Sequence, residues 1–156
     1  MPRITDFQLT KKPEHPVLFI RSTTSVQNLP NIIGGGFMKI GGYIESMGEI
    51  PADIPYLKYP QFEQIKEDKV DVEVYFDTAI LLPEKDDIKS VMVPETKLIS
   101  CMYRGDYEEM APVYLEMIQW IKDNGYEFIG DSYEYYYNGE NFPPEDMLTK
   151  IVMPVK

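Results

Sequence analysis

The chain has very little of the two residue types that most often carry metal and nucleophile chemistry, with one cysteine and one histidine in 156 residues. Cys101 has no second cysteine for a disulfide within the chain, and its apolar neighbours favour a packed, unreactive side chain. His15 lies in a Glu-His-Pro sequence typical of a turn. We therefore expect no Ser-His-Asp triad, no metal site and no cofactor.

Long apolar runs and an excess of basic residues are also missing. The Met1-Pro-Arg start opens no apolar secretion segment, and no stretch approaches the roughly 18 apolar residues of a membrane-spanning helix. The chain has 15 Lys and Arg against 26 Asp and Glu, a net charge of −11. Because phosphate binding needs a basic surface, this charge argues against direct nucleic-acid binding. We expect a cytoplasmic, disulfide-free protein without membrane contact.

What the sequence does contain is a regular succession of strand and helix patterns that fits one domain, 1–156. A helix is predicted from the apolar stripe between Leu29 and Ile44, with Pro30 at its start. A second helix is predicted from about Ala111, with Pro112 in its first turn, to a stop at Gly125, and its apolar stripe consists of Tyr114, Met117, Ile118 and Ile121. Strands are predicted over 16–22, 70–82, 96–104, 126–137 and 147–155, with a turn-rich connection over 138–146. The prolines around Tyr56-Leu-Lys-Tyr59 predict a short irregular edge segment there, and the charged stretch 61–69 predicts a turn.

Two local patterns leave alternatives open. The first helix carries Gly34-Gly35-Gly36 and Gly41-Gly42, and each glycine costs about 1 kcal/mol in a helix interior; either a neighbour approaches the bare helix closely or a loop splits the segment. Neither phosphate-binding glycine pattern is complete. In the strand over 70–82, Ile80 is expected on the apolar face. The alternate acidic residues of this strand predict a solvated face rather than a metal site; they are Asp71, Glu73 and Asp77.

The stretch from Tyr126 to Gly139, YEFIGDSYEYYYNG, places Glu134 within a run of four tyrosines. This aromatic run predicts a β-strand in which Ser132, Glu134 and Tyr136 share one face. If the fold covers that face, the carboxylate is costly unless a hydrogen-bond donor or a cation meets it. A binding site is one interpretation, and an exposed glutamate on an edge strand is the other.

The predicted elements repeat in the order strand, helix, short aromatic strand and long strand. The two copies cover about 16–82 and 96–156, and Tyr56-Leu-Lys-Tyr59 corresponds to Tyr133-Glu-Tyr-Tyr136. We therefore predict an α+β fold of tandem duplicated βαββ units, with a mainly antiparallel sheet and both helices packed on one face. A groove between two such pseudo-symmetric halves is a common position for a small-molecule site.

Four segments carry a resemblance to a known family: Gly105-Asp-Tyr107, Trp120-Ile-Lys-x-x-Gly125, Asp131-Ser-Tyr-Glu134-Tyr, and Glu145-Asp-x-x-Thr149-x-Ile-x-x-Pro-Val155. In order and spacing they resemble the GyrI-like small-molecule-binding domain, which is also the effector-binding domain of multidrug-responsive transcription regulators. The resemblance covers nearly the whole chain and is strongest from Leu98 to Val155. The length leaves no room for an added helix-turn-helix domain, so a stand-alone binder is expected.

The resemblance implies a pocket between the two units that binds lipophilic, often cationic compounds. It places a buried glutamate at Glu134 to meet the ligand's charge, with Tyr136, Met110 and Met147 at positions that line the pocket. Methionine stands at the last two positions, where the family often has aromatics, which implies a more adaptable wall. Further candidates from the first copy and the second helix are Tyr56, Tyr59, Phe37, Ile40 and Trp120, the last shared between core and pocket.

Three functions follow as hypotheses. The first is binding of lipophilic, cationic or aromatic small molecules, with charge selection by Glu134 and cation–π contacts of about 0.5–2 kcal/mol each. The second is hydrolysis of electrophilic small molecules, with Glu134 activating water and a neighbouring tyrosine donating a proton. The third is inhibition of gyrase through protein–protein contact, which the family resemblance suggests. We rank it last, because the acidic charge is spread along the chain rather than collected in one tract.

Overall fold

A computed structural model describes residues 4–138 and 141–156. In these residues the strands are β1 (Gln8–Lys12), β2 (His15–Thr24), β3 (Tyr56–Tyr59), β4 (Val70–Asp77), β5 (Lys89–Val93), β6 (Thr96–Arg104), β7 (Ser132–Tyr136) and β8 (Leu148–Val155). The helices are α1 (Leu29–Ser46) and α2 (Ala111–Asp123), with 3₁₀ turns at Phe62–Gln64, Tyr107–Glu109 and Pro144–Asp146. The Met1-Pro-Arg start and residues 139–140 of the predicted 138–146 connection lie outside the described residues.

All eight strands of the described chain form one sheet in the order β1-β6-β8-β7-β3-β4-β2-β5, and every neighbouring pair is antiparallel. The sheet is curled, because Lys12 of β1 reaches Asp77 of β4, five places along the strand order. The order strand, helix, strand, strand occurs twice, in β2-α1-β3-β4 and β6-α2-β7-β8. The predicted α+β fold is confirmed, and the division at about 16–82 and 96–156 stays a prediction.

The flanking strands β1 and β5 were not predicted from the sequence. Their residues are mostly exposed and lack the apolar alternation of a strand with one buried face. Each lies at an edge of the sheet, where it pairs with one neighbour, β6 or β2 respectively. Edge pairing, rather than burial, therefore forms these two strands.

Both helices pack on the same face of the sheet. The core under α1 includes Leu18, Leu57 and Phe76, and the core under α2 contains residues that include Ile99 and Ile151. The sheet register joins the two cores, because Leu57 lies opposite Glu134, and Glu134 lies opposite Ile151. Glu134 consequently lies on the helix-covered face, near the middle of the strand order.

Helix α1 runs without interruption through its five glycines, so the loop alternative is wrong. A Cβ atom built on Gly36 would lie 2.9 Å from Val74 Cγ2, which is closer than such atoms pack. Close approach of helix and sheet is thus confirmed at this position. A Cβ atom added to Gly35 or Gly42 would meet no neighbour within 4 Å, so tertiary packing does not offset the helix-propensity cost of these two glycines.

Helix α2 begins at Ala111 as predicted, with Pro112 in its first turn. The approach to it is a 3₁₀ turn in which the Asp106 carboxylate accepts a hydrogen bond from the Glu108 backbone N–H at 3.1 Å. After the helix, Gly125 has a φ of +79°, a left-handed conformation that ends the helix. The predicted start and stop signals were therefore sufficient for this element.

The prediction of an edge segment at Tyr56–Tyr59 is wrong, because β3 pairs on both sides, with β7 and β4.

Two predicted strands are too long. β4 ends at Asp77 rather than Leu82, and Ile80 is exposed, because Thr78 Oγ1 donates to the Ile80 carbonyl and turns the chain. β7 covers Ser132–Tyr136 rather than 126–137. Gly130, with a φ of +100°, breaks the extended conformation before it.

The acidic row of β4 is not a solvated face, which corrects the sequence prediction for two of its three members. Glu73 and Asp77 are 5% and 6% exposed. The Arg21 guanidinium lies 2.8 Å from Glu73 Oε2, and the Tyr75 hydroxyl donates to Glu73 Oε1 at 2.7 Å. The sequence pattern missed this because the charged partners come from other strands: Arg21 lies on β2, and the curl of the sheet brings Lys12 of β1 to Asp77.

Candidate ligand-binding site

A cavity of about 250 Å³ opens on the helix face, between the start of α1, the segment after β3 and helix α2. Its walls are mostly aromatic and aliphatic, and two polar residues of β7 form part of its floor. The residues that line it are Val26, Leu29, Tyr59, Phe62, Ile65, Val70, Tyr114, Ser132 and Glu134. We call this cavity the Glu134 cleft.

The aromatic rings of the Glu134 cleft are held by contacts with one another and with nearby rings. Phe62 meets Tyr114 edge-on, with ring centroids 5.0 Å apart, and meets Phe128 in a similar way at 5.7 Å. Tyr107 contacts Tyr136 edge-on at 5.3 Å. Edge-to-face contacts of this kind hold rings at defined angles, so the cleft has ordered aromatic walls.

The Glu134 carboxylate is bound by tyrosine hydroxyls. Tyr136 donates to Oε1 at 2.6 Å, and Tyr114 of α2 donates to Oε2 in a short hydrogen bond. The Tyr114 hydroxyl also lies 3.2 Å from Ser132 Oγ. Within the described residues no lysine or arginine forms an ion pair with Glu134. The carboxylate is therefore hydrogen-bonded without a countercharge.

Burial raises the pKa values of all three residues in this cluster, Glu134, Tyr114 and Tyr136. Burial raises the pKa of Glu134 above its usual value of 4.5, while the hydrogen bonds from Tyr114 and Tyr136 oppose that shift. Burial, and then the nearby Glu134 charge, raise the pKa values of both tyrosines well above 10. The tyrosines are consequently protonated donors at neutral pH. Glu134 as a residue is half-buried and lines the cleft.

The structure brings three of the predicted site residues together. Glu134 and Tyr59 both line the cleft, and Tyr136 is hydrogen-bonded to Glu134. The nearby Glu134 charge also contributes to raising the pKa of Tyr59, after burial. Because β7 is a central strand, the alternative of an exposed edge-strand glutamate is wrong.

Tyr56 does not line the Glu134 cleft, which corrects the expectation that it shares a pocket with Tyr59. The two residues are three positions apart in β3, and alternation places them on opposite faces. Tyr56 is buried on the face away from the helices, where its hydroxyl donates to Asp77 Oδ1 at 2.6 Å. The sequence comparison of the two aromatic strands did not account for this alternation.

Four of the other predicted residues lie in or against the cores around the cleft, and none of the five belongs to its lining. Met110 is buried in the core under α2, and Ile40 in the core under α1. Phe37 packs edge-on against Phe76 at 6.1 Å. Trp120 packs against the α2 core and stacks on Tyr126. Met147 is half-buried and follows the last 3₁₀ turn.

Sequence reasoning missed two important residues of the site, Tyr114 and Phe62. Tyr114 belongs to the apolar stripe of α2 that the sequence predicted, but the stripe was assigned to packing alone. A buried tyrosine usually finds a partner for its hydroxyl, and this requirement was the available signal. Phe62 lies in a charged segment that predicted only a turn, and no sequence signal distinguishes it.

The fold is shared with several solved structures. EcmrR in its DNA complex is 21% identical, with a TM-score of 0.79 over 97% of this chain and 57% of the EcmrR chain. The C-terminal domain of EcmrR alone is 22% identical, with a TM-score of 0.77 over 98% of this chain and 98% of that domain's chain. A hydrolase from Listeria innocua is 16% identical, with a TM-score of 0.73 over 96% of this chain and 91% of that chain. SAV2435 bound to tetraphenylphosphonium is 14% identical, with a TM-score of 0.58 over 97% of this chain and 94% of the SAV2435 chain.

At these identities the likenesses establish the fold alone, and this chain spans little more than half of the full EcmrR chain. No curated protein matches the sequence. In the part of the chain that the structure describes, no helix is long and apolar enough to cross a membrane. The family model for the GyrI-like small molecule binding domain matches residues 5–156, and the chain belongs to this family.

Proposed function

We propose that this small-molecule-binding domain takes lipophilic, preferably cationic, ligands into the Glu134 cleft. One observation carries the proposal: Glu134 lines an aromatic cavity, and its carboxylate has hydrogen-bond donors but no cation beside it in the described residues. A cationic guest would supply the missing countercharge. The aromatic walls would bind its apolar body.

The energies favour charge as the main selector. Two unit charges about 4 Å apart attract by roughly 4 kcal/mol at the effective dielectric of a protein surface. A cation over an aromatic face adds about 0.5–2 kcal/mol, and Tyr59, Phe62 and Tyr114 offer such rings. A neutral ligand of the same shape would gain the apolar contacts without the Coulomb attraction.

The size of the cleft sets the class of ligand. Its volume of about 250 Å³ lies just below the roughly 300–1,000 Å³ typical of small-molecule pockets. Compact aromatic cations therefore fit the proposal better than extended ones. SAV2435, a protein of the same fold, is bound to tetraphenylphosphonium, which makes this cation a suitable first probe.

The experiment compares Glu134→Gln with the unmodified chain, using tetraphenylphosphonium and a neutral analogue of similar shape in isothermal titration calorimetry. We expect the variant to fold and to lose at least tenfold in cation affinity, equivalent to about 1.4 kcal/mol, with little change for the neutral ligand. A matched control is Glu45→Gln, which removes an exposed carboxylate near the end of α1, outside the cleft lining. Equal losses for both ligands would refute charge selection.

The pair of hydroxyls on Glu134 supports a second candidate, hydrolysis of an electrophilic small molecule. Glu134 would take a proton from water, the hydroxide would attack the electrophilic carbon, and Tyr114 or Tyr136 would protonate the leaving atom. The protonated state of both tyrosines at neutral pH suits this role. Turnover of an epoxide probe by the unmodified chain but not by Glu134→Gln would support it, whereas stoichiometric binding without product would contradict it.

A further inference from the structure

A second arrangement of carboxylate and aromatic rings lies on the face of the sheet away from the helices. Asp77 is buried there, and the Lys12 ammonium lies 2.6 Å from its Oδ2 atom. The same ammonium lies 5.0 Å from the centroid of the Tyr56 ring and 6.0 Å from that of Tyr135. The acid and the two rings together surround the Lys12 ammonium, and the Lys150 ammonium lies 4.8 Å from the centroid of the Tyr135 ring. We call Asp77, Tyr56 and Tyr135 the Asp77 cage.

The rings of the Asp77 cage form part of a continuous stack across four strands. Tyr135 stacks on Tyr56 at 4.4 Å, Tyr56 on Tyr75 at 5.4 Å, and Tyr75 on Phe19 at 5.1 Å. The Tyr56 hydroxyl donates to Asp77 Oδ1 at 2.6 Å. These contacts fix the cage independently of Lys12, because none of them involves it.

Lys12 enters the cage from a distant part of the sheet. It ends β1, an edge strand that pairs with β6, and 65 positions separate it from Asp77 in the sequence. Its side chain remains 25% exposed, and a void of about 30 Å³ lies beside it, lined by residues that include Tyr133 and Leu98. A void of this size holds about one water molecule, so a small gap remains beside Lys12 against the Tyr56 and Tyr135 rings.

We infer that the Asp77 cage is a second cation-binding site, specific for compact organic ammonium ions, in which Lys12 is a tethered occupant. A carboxylate with aromatic faces is the chemistry that recognises alkylammonium groups. The other nearby acid, Glu73, is paired with Arg21, so Asp77 supplies the charge. His15 also faces Asp77, with its Nε2 atom 3.7 Å from Oδ1.

The two sites lie on opposite faces of the sheet. Leu57 faces Glu134, whereas its neighbour Tyr56 faces Asp77. An added ammonium ion must displace Lys12, whose local concentration is of millimolar order for a short tether. The site should therefore be weak in the unmodified chain and become strong once the lysine is removed.

The test uses Lys12→Ala in a Glu134→Gln background, which removes the carboxylate of the first site, and n-butylammonium, which carries the same charge on an alkyl chain close in length to the missing side chain. We expect n-butylammonium to bind this double variant on the order of tenfold or more tighter than it binds Glu134→Gln alone, because the tethered competitor is gone. Binding should also raise the melting temperature. Neutral n-butanol, and the triple variant that adds Asp77→Asn, should show neither effect.

Absence of added binding in a folded Lys12→Ala variant would overturn the inference, as would an equal response to n-butanol. If Lys12→Ala does not fold, Lys12→Thr vacates the cage with a residue that favours β-strands. Failure here leaves the Glu134 proposal unaffected, because that proposal is tested with tetraphenylphosphonium in a chain that retains Lys12.

Discussion

Leu57 and Glu134 lie directly opposite each other on the central strands β3 and β7. Leu57 is fully buried, and Ile151 of β8 lies opposite Glu134 on its other side. The carboxylate is therefore flanked along the sheet by two aliphatic side chains. Its polar contacts in the described residues come from tyrosine hydroxyls, so its ionisation depends on a few identifiable groups.

The raised pKa of Glu134 predicts a pH dependence of stability. Because burial raises this pKa above 4.5 in the folded state, the folded state holds the proton more tightly than the unfolded state. The contribution of Glu134 to the free energy of unfolding must then fall as pH rises from about 4.5 through the raised value. Urea unfolding across that range should show the decline in the unmodified chain relative to Glu134→Gln; parallel curves would contradict it.

Removal of the Tyr114 hydroxyl tests the hydrogen bonds. Tyr114→Phe should destabilise the fold by about 1.5–3 kcal/mol when Glu134 is ionised, as expected for a bond to a charged group, and by less when it is protonated. Tyr43→Phe is the matched control, since Tyr43 donates to the neutral Pro83 carbonyl at 2.7 Å. In denaturant unfolding at low and high pH, the loss of unfolding free energy should depend on pH for Tyr114→Phe and not for Tyr43→Phe. A loss in Tyr114→Phe that is the same at both pH values would argue against the bond.

Two glycines of α1 should respond in opposite directions to alanine. Gly35→Ala should stabilise the fold by about 0.5–1 kcal/mol through helix propensity, because nothing lies within 4 Å of the added methyl group. Gly36→Ala should destabilise it, because overpacking against Val74 costs about 1–3 kcal/mol and exceeds that gain. Chemical denaturation of both variants measures the difference, and stabilisation by Gly36→Ala would contradict the close approach.

The sequence predicted the fold well where local signals agree with tertiary packing. The start of α2 at Ala111 came from the position of Pro112, and the end of β6 at Arg104 came from the glycine that follows it, Gly105. Both are local properties of the sequence. The edge strands β1 and β5 were missed because they bury little. The burial of Asp77 was missed because its partner Lys12 lies 65 positions away and reaches it through the curl of the sheet.

The candidate site was predicted only in part, because some of its residues meet only through tertiary packing. Strand alternation placed Glu134 and Tyr136 on one face, and the family resemblance marked the glutamate as the charged group. Tyr114 could not be assigned to it without knowing how α2 lies on the sheet. Tyr56 was placed with Tyr59 because both are tyrosines, although residues three positions apart in a strand lie on opposite faces of the sheet.

The most direct test of the central proposal is the pKa of the Glu134 carboxyl group, measured by NMR titration of its side-chain carboxyl carbon with and without ligand. A bound cation favours the ionised carboxylate, so saturation with tetraphenylphosphonium should lower this pKa, whereas a neutral analogue should not lower it. If the cation binds and the Glu134 pKa does not change, the carboxylate is not its partner and the account is contradicted.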